Sequence, residues 1–318
     1  MGLFLAFFVF FVFFMVQSVA YEPQNPSMSE APARRQALLA LGLMSLIWSL
    51  NWIVMKRAMQ YIGPFDFSAL RTAAGTTLLF ALLWWRGESL APPPLRDSIL
   101  IGVAQTGAFQ LLVQLSLVEG GAGKMALLAY TMPFWVIAFA WMLLGERPGP
   151  RQWACFGLAG AGLVLVMEPW REIGSLHSCL LALAGGGCWG LATVLTKRLF
   201  QRAAITPLRL TAWQALFGTI VVVIGALLIS ERAIDWTGEL IGALIYNSVL
   251  AAAVAWALWL FVIERLPAGI AGMASLATPL LGVLLAWVLL GEVPDLDEAI
   301  GIGLIAVALA GVLRPRAS

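Results

Sequence analysis

PFWVIAFAWMLLGERP, residues 133–148, returns as PLLGVLLAWVLLGEVP at residues 279–294, and eight of the sixteen positions are identical. The shared residues are Pro133/Pro279, Ala140/Ala286, Trp141/Trp287, Leu143/Leu289, Leu144/Leu290, Gly145/Gly291, Glu146/Glu292 and Pro148/Pro294. Upstream, WSLNWIVMKR at 48–57 aligns with WGLATVLTKR at 189–198, and the match continues through Pro64/Pro207, Gly75/Gly218 and Thr76/Thr219. The offset between copies rises only from 141 to 143 to 146, in constant order. Chance identity among apolar residues does not keep such an order, so the chain carries one unit twice, with its loops altered in length.

The two copies sit in a chain of 318 residues that is 61% hydrophobic and 11% charged, with a mean hydropathy of +0.90. That leaves too little polar surface to cover a soluble globule, and the chain reads as an integral membrane protein. Net charge is only +2, with cations single or paired, so there is no footprint for nucleic acid. Cys155, Cys179 and Cys188 fall in apolar segments without CxxC spacing. Neither a disulfide framework nor a metal site is suggested, and no cofactor motif is present.

Apolar runs long enough to cross a hydrocarbon core of about 30 Å occur near 37–55, 66–85, 98–118, 124–144 and 151–168, and again near 177–199, 208–229, 240–263, 267–290 and 297–313. The fold class expected is all-α, with ten transmembrane helices arranged as a first five-helix repeat over 34–170 and a second over 171–318. Because five is odd, the second copy enters the bilayer from the opposite side, which makes the repeats inverted. With the segment before Arg34 inside, thirteen Lys and Arg fall in cytoplasmic loops against five outside. The charge bias therefore places both ends of the ten-helix body in the cytoplasm.

Residues 1–33 form a hydrophobic extension that does not fit the repeat. Three readings compete for MGLFLAFFVFFVFFMVQSVA: a start of translation at Met28, which is preferred, an uncleaved extra helix, or a cleaved signal ending at Ser18-Val19-Ala20. Cleavage is the weakest, because it leaves Arg34 and Arg35 outside and inverts the charge pattern.

Polar side chains inside the spans either bond between helices or line a substrate path, and both readings stay open for each. Trp48, Asn51, Trp52 and Met55 share one face of the first span. Arg71 lies early in the second span, free to snorkel outward, pair with Asp66 or gate a path, and its repeat partner is Gln214. Gln110 and Gln114 stand one turn apart in the third span, and Asn247 follows Tyr246 in the eighth. Of fourteen tryptophans, Trp48, Trp189 and Trp213 are expected to point inward.

Pro133 and Pro279 sit about nine residues into the fourth and ninth spans, with Tyr130 and Thr131 upstream in one and Ser275 and Thr278 in the other. Each removes a helical hydrogen bond and serves as a candidate hinge. Glu146 and Glu292, closing the LLGE motifs, are candidates for gates or helix ends. Glycines at 157, 160, 162, 301, 303 and 311 crowd the fifth and tenth spans and offer a homodimer face, while Gly186 and Gly190 form a GxxxG in the sixth.

A Trp-containing first helix running into Lys-Arg, a proline in the fourth helix and LLGE closing it, all present twice, resemble the EamA domains of the drug/metabolite transporter superfamily. The resemblance covers about 34–314, and ALRTAAG around Arg71 is similar to the arginine early in that family's second helix. It implies a ten-helix bundle with a central cavity that works by alternating access. Members similar to this chain are typically inner-membrane exporters of amino acids and related metabolites, or of small drugs.

The expected function is therefore a secondary transporter in the lipid bilayer, exporting a small molecule without an enzyme's chemistry. No Walker-type loop suggests ATP drive. Proton coupling has few candidates, since His177 is the single histidine and no Asp or Glu falls at mid-bilayer. The alternatives are a channel or non-transporting subunit, which shows no repeated charged ring, and a membrane-embedded transferase, which would want His, Asp or Cys at a membrane face.

Overall fold

The computed structural model describes residues 30–119, 122–167, 170, 175–290 and 295–313. The extension at 1–29 and Glu292 lie outside the described residues, as does the side chain of Trp52. Every regular element among the described residues is helical. The first half runs α1 (Glu30–Ala58), α2 (Pro64–Trp85), α3 (Leu95–Gly102), a π-helical segment π1 (Val103–Ala108), α4 (Phe109–Glu119), α5 (Ala122–Ala129), α6 (Met132–Leu144) and α7 (Pro150–Met167). The second half repeats that order as α8 (Leu176–Arg202), α9 (Pro207–Leu228), α10 (Gly238–Tyr246), π2 (Asn247–Val254), α11 (Ala255–Arg265), α12 (Ala268–Ala274), α13 (Ala277–Leu290) and α14 (Leu296–Leu313).

Seven helices among the described residues are long and apolar enough to cross a membrane: Arg35–Met55, Pro64–Trp85, Leu95–Ser116, Leu127–Leu144, Leu176–Arg202, Pro207–Leu228 and Gly238–Arg265. With the shorter apolar Ala268–Gly282, they make an all-helical, multi-pass membrane protein. Helix satisfies backbone polar groups within the segment, as a bilayer requires.

Two local features depart from plain spans. The third span of each half contains a π-helical stretch, which apolar periodicity did not announce. The helical runs at 122–144 and 268–290 are broken, not merely bent, at Tyr130–Thr131 and Ser275–Leu276, just ahead of Pro133 and Pro279. A proline cannot donate to the carbonyl four residues back, and its ring crowds that carbonyl, so the helix restarts there. Hydroxyls beside the breaks take up nearby carbonyls: Thr131 Oγ1 donates to Leu128 O and Ser275 Oγ to Gly272 O, both at 2.7 Å.

Glycines let these irregular segments approach their neighbours. A Cβ at Gly186 would lie 2.8 Å from Ala129 O, and one at Gly190 would lie 2.7 Å from Trp135 Cβ, so the GxxxG of α8 receives the break in the fourth span. Gly162 and Gly301 bring α7 and α14 together, each with its would-be Cβ 2.6 Å from the other's carbonyl oxygen. Across the middle the packing is exchanged between halves. Gly75 of α2 abuts Ala252 and Ser248 of π2, while Gly218 of α9 abuts Thr106 of π1 and Gly102. Beside them the repeat partners Thr76 and Thr219 share a hydrogen bond of 3.0 Å.

The LLGE motif ends α6 through Gly145, whose φ of +68° is left-handed, with Glu146 N–H bonded to Ala140 O at 3.2 Å. Only glycine adopts that conformation without steric cost. Nothing lies within 4 Å of a Cβ built there, so the expected penalty for Gly145→Ala is backbone strain alone, about 1 kcal/mol. Thermal unfolding in detergent checks it, and an unchanged midpoint would remove the capping role.

Candidate functional site

Arg71 lies seven residues past Pro64, about 10 Å along α2, and is 6% exposed. Its Nη2 donates to Gln110 Oε1 of α4 at 2.6 Å, and its Nη1 to Asn247 Oδ1 at the head of π2 at 3.2 Å. Nη1 also stands 3.9 Å from the sulfur of Met55 on α1, which accepts from Asn51 Nδ2 at 3.0 Å. The guanidinium thus turns inward to amide oxygens and does not pair with Asp66. Four elements from both halves meet on one buried cation. Asn247 is held in turn through Nδ2 to Ala243 O at 3.1 Å, and Gln114 bonds Ser68 Oγ at 2.6 Å on the same α2–α4 seam.

Below this polar junction the first-span stripe continues to Trp48. The repeat partners Trp48 and Trp189 touch directly, with centroids 5.6 Å apart and planes at 85°. Trp256 and Trp259 of α11 join both of them, and Phe109 and Tyr130 close on Trp189 at 5.1 and 5.8 Å. Edge-to-face contacts of this kind set the positive ring edge on the negative face of the neighbour. Trp48 Nε1 donates to Ala251 O in π2 at 3.2 Å, so the irregular segment supplies an acceptor to the cluster. Trp48, Asn51, Arg71, Gln110, Gln114, Tyr130, Trp189 and Asn247 are thereby placed along one buried seam between the halves.

Trp213 and Gln214 stand apart. Trp213 packs on Phe80 and Phe217 at 5.4 and 5.7 Å, away from the four-tryptophan group. Gln214 is buried on α9, where a Cβ on Gly102 would overlap its carbonyl oxygen. Met55, on the first-span face it shares with Asn51, is part of the site. Phe109 joins it too, yet looks like an ordinary core residue in the sequence, marked only by its place next to Gln110.

Glu146 braces a turn: its carboxylate accepts from the N–H groups of Ala268 and Gly269, both at 3.4 Å. Lys197 Nζ holds the other side through the carbonyls of Ile263 and Glu264 at 2.9 and 3.0 Å. Together they clamp Leu266–Pro267 between α11 and α12. At the opposite end Glu231 Oε2 caps α2, accepting from Phe65 and Asp66 N–H at 3.0 and 2.9 Å. Tyr61 Oη there donates to Glu239 at 2.7 Å, and that bond raises the phenol's pKa above its ordinary value. Among the described residues no group of His, Cys, Asp and Glu is arranged to hold a metal.

The chain matches the EamA-like transporter family twice, over residues 35–168 and 176–314. It is 24% identical to the uncharacterized transporter YoaV of Bacillus subtilis, over 86% of this chain and 95% of that protein. It is 25% identical to a riboflavin transporter of Rhizobium johnstonii, over 91% and 93%, and 26% identical to the threonine/homoserine exporter RhtA of Escherichia coli, over 80% and 84%. A crystal structure 21% identical in sequence superposes with a TM-score of 0.74, over 87% of this chain and 96% of that one, which speaks to fold alone. With both halves of the sequence matched and an all-helical body built to cross a membrane, this chain belongs to the EamA-like transporter family.

Proposed function

We propose that the chain is a secondary transporter that exports a small metabolite across the inner membrane, an amino acid or its derivative before a small drug. In this reading residues 34–170 and 171–318 are inverted five-helix repeats, both ends of the ten-helix body are cytoplasmic, and the substrate path runs between the halves. The observation that carries it is the meeting of repeat partners, Trp48 on Trp189 and Thr76 on Thr219. Residues related by an inversion axis touch only where they lie on it, and transporter sites sit at that repeat interface. Breaks ahead of Pro133 and Pro279 give each half a hinge at matched positions, and the Glu146–Lys197 clamp acts as an inner gate. RhtA, an exporter of threonine and homoserine by name, supports the amino-acid class.

Proton antiport and facilitated exit are equally compatible with this reading, since His177 is exposed and the polar junction holds no carboxylate among its described partners. A homodimer would have to use faces other than the joined Gly162 and Gly301, with Gly157 and Gly303 facing open space.

The test is efflux of a radiolabelled amino-acid panel from preloaded proteoliposomes holding the purified full chain, with and without a pH gradient. Saturable, protein-dependent loss of one class is expected, and its response to the gradient separates antiport from facilitated exit. Folded protein that moves none of the panel would defeat the amino-acid assignment, and ion conductance far above carrier rates would favour a channel.

A further inference from the structure

We propose that Arg71 and Asn51 form a head-group site for a free amino acid, with Arg71 taking the carboxylate and Asn51 the ammonium group. The proposal rests on the carrier reading above and assigns the chemistry of its substrate. A charge on Arg71 is buried at considerable cost, and such charges are ordinarily paired. Its partners among the described residues are two amide oxygens and a thioether, all neutral, with the Phe67 ring 5.9 Å away. They orient the guanidinium without neutralising it. Its Nε is buried with no acceptor, so one N–H of the fork remains unspent, and a carboxylate is the acceptor that would both take that N–H and balance the guanidinium's charge.

A second orphan of opposite sense stands beside it. Asn51 is 7% exposed, and its Nδ2 bonds the same Met55 sulfur that Arg71 approaches, while its Oδ1 is buried with no donor. An unspent cationic donor and an unspent neutral acceptor thus share one sulfur as common neighbour. Gln114 Oε1, on the helix that supplies Gln110, is a further buried acceptor without a donor. A simple anion would satisfy Arg71 and leave both acceptors bare. A zwitterion answers donor and acceptor together, because its carboxylate and ammonium hang on one carbon. Leaving buried groups of either kind unpaired is costly, so the complementary head group is selected over analogues lacking either charge.

The experiment uses proteoliposomes of the full chain loaded with threonine, leucine or phenylalanine, and with the carboxamide and N-acetyl derivative of each. For every amino acid carried, wild-type efflux should exceed that of both derivatives by about tenfold or more. Arg71→Gln should bring the carboxamide to parity while the N-acetyl compound is still rejected, and Asn51→Leu should do the reverse. Arg71→Lys, which keeps the charge, should still prefer the acid to the amide. Equal efflux of an amino acid and its two derivatives by the wild type would overturn the head-group site and leave the carrier reading standing. Discrimination unchanged in both variants would overturn the residue assignment. No efflux of any of the compounds from folded protein would defeat the amino-acid reading and this proposal with it. Should a variant fail to fold, the wild-type ratios still decide whether both charges are read.

Discussion

Trp189→Ala is expected to cost about 3–5 kcal/mol of stability, the range for removing a large aromatic from a packed interior. Trp189 is 3% exposed and contacts Trp48, Phe109, Tyr130, Trp256 and Trp259, so its loss opens a void that five rings on several helices cannot all move to fill. In a bilayer the usual gain from hiding apolar surface from water is absent, and contact packing carries a larger share of helix association. The void is correspondingly costly. The measurement is the temperature at which the monodisperse peak is lost on size exclusion in detergent. Trp84→Ala, at a ring 74% exposed, is the control and should shift it little. Equal shifts for the two variants would mean that the tryptophan cluster does not hold the halves together.

Gly218→Ala should also destabilise the protein, by the opposite route, adding one methyl group where none fits. The new Cβ would overlap Thr106 Cβ and lie 2.6 Å from the carbonyl oxygen of Gly102. A helix carbonyl cannot turn aside, so α9 must back away from π1, and overpacking of this kind costs about 1–3 kcal/mol or more. Gly75→Ala, with its Cβ 2.9 Å from that of Ala252 and 3.1 Å from Ser248 O, should be milder. Gly303→Ala meets nothing within 4 Å and should be neutral or gain up to about 1 kcal/mol of helix propensity. Folded yield and melting temperature of the three variants should fall in the order Gly303, Gly75, Gly218. If Gly218→Ala behaves like Gly303→Ala, the halves do not pack through these glycines.

Much of the fold was legible because a membrane makes each span declare itself locally. Runs such as 66–85 and 208–229 end within a few residues of α2 and α9, since apolar length and the Pro64 and Pro207 starts decide those helices without reference to neighbours. LLGE likewise announced the end of α6, because a left-handed cap requires glycine. The breaks were half legible. Proline marked their places, but whether a helix bends or restarts depends on which groups receive the freed carbonyls, and the receiving wall is Gly186 of α8 in the case of Ala129. The π segments carried no signal at all, as no residue at 103–108 or 247–254 forbids an ordinary α-helix.

Sequence by itself determined that the chain crosses a membrane, where its helices run, that one unit appears twice, and which polar residues must find partners. Only the tertiary structure decided who those partners are. Arg71 meets Gln110 and Asn247, 39 and 176 positions away, and not the nearby Asp66. It decided too that Trp189 belongs with Trp48 while Trp213 does not. The physical reason is that lipid-facing and protein-facing surfaces are both apolar, so no amphipathic stripe tells which side of a helix is buried. Helix faces are chosen by where a glycine allows close approach and where a buried donor can reach an acceptor. Both depend on elements far apart in the chain.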